Sequence, residues 1–168
     1  MAITYEPLAS ITLSSSSLLV TFSSISNGYT DLRLVSSMND ASGSTVMYNF
    51  NGDGLSGARS TKYSSIRLLG NGSSASSANY NNDTYIYGGV SAYTSGIYNL
   101  QILDIFSYTS AFYKTVLLQS YDQNAGQTRM ISGQWKDTSA ITSVTVSTDS
   151  GSSFIAGTTL TLYGILKA

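Results

Sequence analysis

The chain has 168 residues, none of them cysteine or histidine, and a formal net charge of −1 from 8 basic and 9 acidic side chains. That length suits one domain, 1–168, with a core of its own, and the composition excludes disulfides, thiolate zinc sites and every Ser–His or Cys–His nucleophile. Charged residues make up 10% of the chain against about 25% in ordinary soluble domains, so there is no basic stripe for nucleic acid and little repulsion to keep copies apart.

Met1–Leu13 lacks a basic segment followed by an apolar run, so no export signal is read and synthesis in a cytoplasm is expected. Apolar runs such as Leu18-Leu19-Val20 are far too short to span a bilayer. The only proline, Pro7, falls where it can blunt a sheet edge. Period-2 alternation then recurs: Leu32/Leu34, Val46/Tyr48/Phe50, Ile66/Leu68, Tyr85/Tyr87, Ile97–Ile105, Phe112–Leu118, Gln127–Trp135, Val144/Val146 and Thr158–Ile165. β-Branched and aromatic residues dominate these runs. Turn signals divide them, among them Asn27-Gly28, Asn71-Gly72, Gly88-Gly89 and Asp149-Ser150-Gly151. The pattern predicts an all-β antiparallel fold of about ten strands, a β-sandwich or a closed barrel, with at most a turn or two of helix. Within Ile97–Ile105 the apolar parity shifts from Leu100/Ile102 to Leu103/Ile105. The preferred reading is a strand buried on both faces, the other a bulge near Asp104.

Residues 49–83 imitate several motifs. Counted from Asn49, a calcium loop would find Asn49, Asn51 and Asp53 at its first, third and fifth positions but Ser60 at its twelfth, where a bidentate Glu is needed. Lys62 stands in no Walker context. Asn51-Gly52-Asp53-Gly54 therefore reads as a strand connection with positive-φ positions. Ser73–Asn82, small, polar and uncharged, reads as an exposed loop that doubles as a contact surface.

Paired carboxylates are the remaining route to catalysis. The sole glutamate, Glu6, adjoins Pro7, and the aspartates are scattered, mostly in turn contexts. No catalytic residue, metal ligand or cofactor is assigned. Of the 13 tyrosines, Tyr80, Tyr85, Tyr87, Tyr93 and Tyr98 crowd the middle of the chain. Tyrosine combines large contact area with a polar tip. Tyr80 and Tyr93 are read as interface residues, and Tyr85, Tyr87 and Tyr98 as strand residues that face either core or partner. Trp135, on the same face as Gly133, is read as core.

Several segments together carry a family resemblance: Tyr5-Glu6-Pro7-Leu8-Ala9, Val20–Ile25, Tyr29–Leu34, Phe50-Asn51-Gly52-Asp53, Gly70–Ser77, Trp135–Val144 and the closing Leu162-Tyr163-Gly164-Ile165. In this order they resemble small virion structural proteins of tailed bacteriophages, notably head decoration (cement) proteins. The resemblance implies a jelly-roll-like sandwich without enzymatic activity, forming a homotrimer and bound to the major capsid protein on the outside of the head. The chain departs from that pattern at Gly54–Arg59, where Arg59 joins Tyr80, Tyr85, Tyr87 and Tyr93 as a candidate interface residue. A tail or fibre module that binds host glycan through Tyr, Asn and Ser loops is the alternative, and a glycan-active enzyme using aspartate pairs a third reading.

Overall fold

The computed structural model describes residues 5–55 and 60–166. They form β1 (Tyr5–Thr12), β2 (Leu19–Phe22), β3 (Asp31–Met38), β4 (Thr45–Phe50), β5 (Tyr63–Gly70), β6 (Ala75–Asp83), β7 (Ile86–Val90), β8 (Asn99–Phe106), β9 (Lys114–Asp122), β10 (Gln127–Trp135), β11 (Val144–Thr148) and β12 (Thr159–Ile165). There is no helix among the described residues. Two antiparallel sheets face each other, an eight-stranded one in the order β1-β12-β3-β8-β9-β10-β5-β6 and a four-stranded one in the order β2-β11-β4-β7. From β2 onward the chain crosses repeatedly between the sheets, an order compatible with a jelly roll.

The core follows from alternation meeting alternation. Leu32, Leu34, Leu103, Ile105, Val116, Leu118, Ile131, Leu160 and Leu162 point inward from the large sheet and meet Val20, Phe22, Val46, Tyr48, Phe50, Ile86, Val144 and Val146 from the small one. Phe50, Tyr63 and Trp135 close one end of the sandwich, with ring centroids 5.8–6.5 Å apart. Trp135 is buried as expected, and its indole N–H donates to Asp53 Oδ2 at 2.9 Å. The Asn51–Gly54 turn has positive φ at Asn51, Gly52 and Gly54. A Cβ at Gly54 would lie 2.8 Å from Thr84 Cγ2, so glycine is needed there for space as well as for φ.

The twelve strands are the nine alternating runs together with β1, β2 and β6, which the alternation does not announce. Pro7 sits in edge strand β1, where the pairing with β12 slips between Pro7 and Ala9. The largest correction is β6. Ser73–Asn82, read as a loop, runs mostly as the second arm of a hairpin with β5, from Gly70↔Ala75 to Tyr63↔Asp83. Asn71 Oδ1 holds the hairpin turn by accepting from the backbone N–H groups of Ser73 and Ser74 at 3.1 and 2.8 Å. Backbone pairing alone makes β6 a strand. As an edge strand with most side chains in solvent it has no buried face to impose an apolar period.

β8 is also corrected. It is neither buried on both faces nor bulged: its pairing with β3 and β9 is regular, and its burial alternates strictly. The parity shift arises because polar Asn99 and Gln101 take inward positions ahead of Leu103 and Ile105, while Leu100 and Ile102 face outward. Gln101 Oε1 accepts the Tyr48 hydroxyl at 3.0 Å and the Gly89 N–H at 2.9 Å, and Asn99 Nδ2 donates to Asp122 Oδ1 at 3.0 Å. β7 approaches so closely that a Cβ on Gly88 would lie 2.7 Å from Gln101 Oε1 and 2.7 Å from Tyr48 Cε2. The expected Phe112–Leu118 run begins only at Lys114, leaving Phe112 exposed in the preceding connection.

Candidate interaction surfaces

One face of the large sheet is covered by the small sheet and the other is open. Register places the open-face side chains in rows. Val35, Ile102, Gln119, Met130, Leu68 and Ser77 form one row across β3-β8-β9-β10-β5-β6. Arg33, Asp104, Leu117, Ser132, Ile66 and Asn79 form the next. Ile66 and Leu68 are each 54% exposed, Leu100 48% and Met130 46%. Water gains nothing from these side chains, and apolar clusters of this kind mark interaction surfaces. A shallow groove of about 660 Å³ runs over this region, lined by Leu68, Gly70, Ala75, Ser77, Gln119, Thr128 and Met130 among others. The charges in these two rows, Arg33 and Asp104, neutralise each other in a fork of 2.5 and 2.8 Å, and the hydrogen bond to Asp104 raises the guanidinium's proton affinity further.

The β5 end of this face is inverted with respect to its sequence pattern. Ile66 and Leu68 face solvent, while Tyr63, Ser65 and Arg67 face inward; on β10 the same holds for exposed Met130 and inward Arg129. Alternation reveals the period of a strand but not its side, so nothing in the chain announces this surface directly beyond the parity shift at Leu100 and Ile102.

Tyr80, Tyr85 and Tyr87 do come together. The Tyr80–Tyr87 and Tyr85–Tyr87 ring centroids are 4.5 and 4.7 Å apart, and the Tyr85 and Tyr87 hydroxyls are 3.1 Å apart. Desolvation, then the hydrogen bond to Tyr85, raises the Tyr87 hydroxyl above its ordinary pKa. All three are half-buried, where edge strand β6 of the large sheet leads into edge strand β7 of the small one. Tyr93 is elsewhere, against Gly43, its backbone N–H donating to Asn124 Oδ1 at 3.3 Å. Tyr98, half-buried, packs over Gly157 and donates to Ala156 O. Arg59 lies outside the described residues.

Asp53 and Asp137 are brought to one cation, with Lys62 Nζ 3.9 Å from Asp53 Oδ2 and 2.8 Å from Asp137 Oδ2. Both carboxylates carry structural bonds: Asp53 accepts from Trp135, and Asp137 Oδ1 accepts from the Ser139 N–H at 2.8 Å. The hydrogen bonds from Lys62 and Ser139 hold Asp137 at about 2. Nearby Lys114 is fully buried, donating to Phe112 O and Asp137 O with its ammonium 5.9 Å from the Trp135 ring centroid; burial lowers its proton affinity. Among the described residues no cluster of three or more acidic side chains could hold a metal ion. No protein-family model matches the chain, and no curated protein matches it as a relative.

Proposed function

We propose that this chain is a non-enzymatic structural protein of a phage particle, a decoration protein that attaches to the outer surface of the head through the open face of its eight-stranded sheet. The observation that carries the reading is that face: Ile66, Leu68, Leu100 and Met130 are presented to solvent on regular, hydrogen-bonded strands. A rigid, nearly uncharged apolar surface suits a flat protein partner that stays bound. The partner is the major capsid protein, and the chain acts as a homotrimer. Binding only to the assembled shell stabilises it by mass action, and many copies per shell let modest contacts add up.

The test uses heads that lack this protein. They are expected to assemble but to burst at lower temperature, and added protein rebinds them in about 0.5 M salt, where screening lengths are a few Å. Stripped heads as heat-stable as complete ones overturn the reading. The half-buried Tyr80/Tyr85/Tyr87 cluster, flanked by Asn79 and Asn81, then favours the tail or fibre module that binds host glycan.

A further inference from the structure

Arg67 and Arg129 stand together on the inward side of the large sheet, beyond the part that packs as core. Register sets Arg67 opposite Ile131 and Arg129 opposite Leu69, so the two are diagonal neighbours on adjacent strands. Such neighbours are roughly 7–8 Å apart, well within the reach of two guanidinium groups. Burial first, and then the positive charge of Arg67, lower the proton affinity of Arg129. The Nε of each is buried without a hydrogen-bond partner among the described residues. Arg129 Nη2 makes one long contact, 3.4 Å to Gln127 Oε1, and the Arg67 guanidinium lies 5.7 Å from the centroid of the Tyr80 ring.

The other described cations are provided for. Arg33 pairs with Asp104, Lys62 with Asp137, Lys114 donates to two carbonyls and Lys136 to Asn82. Asp122 attracts Arg129 from a distance, but its Oδ1 already accepts from Asn99, Asn124 and Ala125. A chain with 8 basic residues thus places two together with no carboxylate among the described residues bonded to either. An arginine edge, Nε–H beside Nη–H, matches the two oxygens of a carboxylate, and burial strengthens that match. A polyanion is disfavoured, because there is no basic stripe to follow a chain of phosphates.

We propose that Arg67 and Arg129, with Tyr80 against Arg67, form a binding site for a single carboxylate, supplied by an acidic side chain of the protein surface to which this chain attaches. The identity of that surface rests on the decoration reading; the carboxylate site does not. The site is on the opposite side of β5 from the open face, since Arg67 turns inward where Ile66 and Leu68 turn outward, so the acidic side chain reaches it around the β6 edge.

The intact protein is titrated with sodium acetate while the arginine Nε–Hε resonances are followed by NMR, with sodium chloride at equal ionic strength and acetamide as controls. Acetate is expected to shift the Arg67 and Arg129 signals saturably, and neither control should reproduce the shift. R129Q should abolish it in a protein whose circular dichroism is unchanged, and R129K, which keeps the charge but loses the fork, should weaken it at least severalfold. Chloride reproducing the shift, or R67Q and R129K both leaving acetate binding unchanged, overturns the site. A second arm measures binding to stripped heads, where R129Q is expected to bind at least tenfold more weakly than the parent. If heads bind both equally, the acidic partner on the shell is refuted and the decoration reading stands. If acetate binds but heads bind neither protein, the decoration reading fails and the site stands, with competition by an acidic oligosaccharide identifying a glycan carboxylate as the ligand.

Discussion

β3 and β5 are strands of equal length in the same sheet, and they use their apolar residues in opposite ways. In β3, Leu32, Leu34 and Met38 are fully buried beneath the small sheet. In β5, Ile66 and Leu68 are more than half exposed while serine and arginine point in. The difference begins at Tyr63. Its ring packs against Phe50 and Trp135, and its hydroxyl oxygen accepts from the Phe50 N–H at 2.9 Å. With Tyr63 committed inward, a period of two sends Ser65, Arg67 and Leu69 in and Ile66 and Leu68 out. One anchoring residue therefore decides the polarity of the whole strand, and β5 exposes apolar surface that folding does not use.

The largest effect should come from removing that anchor. Tyr63→Ala is expected to lower stability by about 3–5 kcal/mol in urea unfolding, in the range of aromatic truncations in cores, and a loss under 1 kcal/mol would show that something else sets the side of β5. Next comes the polar interior of β8. Gln101→Ala leaves the Tyr48 hydroxyl and the Gly89 N–H unpaired in the core, a loss of about 1–3 kcal/mol, read in the same unfolding experiment. Leu68→Ser sharpens the contrast from the other side. Thermal unfolding should move by no more than about 0.5 kcal/mol, as for surface substitutions generally, whereas binding to stripped heads should weaken at least tenfold. Equal stability losses for Leu68→Ser and Leu34→Ala would abolish the distinction between the strands.

The smallest effect is a pH dependence. Asp137 is held at about 2 by Lys62 and Ser139, below the value of about 4 for a free aspartate. Its contribution is therefore fully present above pH ~4 and is lost as pH falls toward about 2. Lys62 is 46% exposed, so screening keeps the contribution well under about 1 kcal/mol. Asp137→Asn should flatten that part of the acid limb without changing stability at pH 7 by more than the same amount.

These contrasts explain what could be read in the sequence. Strands buried on one face, such as β3, β10 and β12, announce themselves by alternation, and Trp135 was legible as core from its place beside Gly133. β6 was not legible, because Ala75–Asp83 is held by backbone bonds to β5 and buries little. β2 is too short to show a period. In the candidate surfaces, nearness along the chain was enough to group Tyr80, Tyr85 and Tyr87. Tyr93 lies apart from them, exposed on the connection after β7 beside Gly43 and Asn124. The open apolar face was hidden for a deeper reason: its residues are those that a sequence reader assigns to the core, and only the sheet opposite decides which side is inside.

Tyr5 and Ile165 are register partners at one end of the β1–β12 pair, on the sheet edge opposite β6. The two ends of this strand pair therefore lie together at a single corner of the sandwich. Pulled apart there, β1 and β12 would be loaded across their ladder, whose hydrogen bonds lie perpendicular to the strands, so they would part like a zipper, a rung at a time. Force entering through the sheet face would instead be shared among many rungs. Mechanically the molecule should be weaker when stretched by its ends than when pressed on its face.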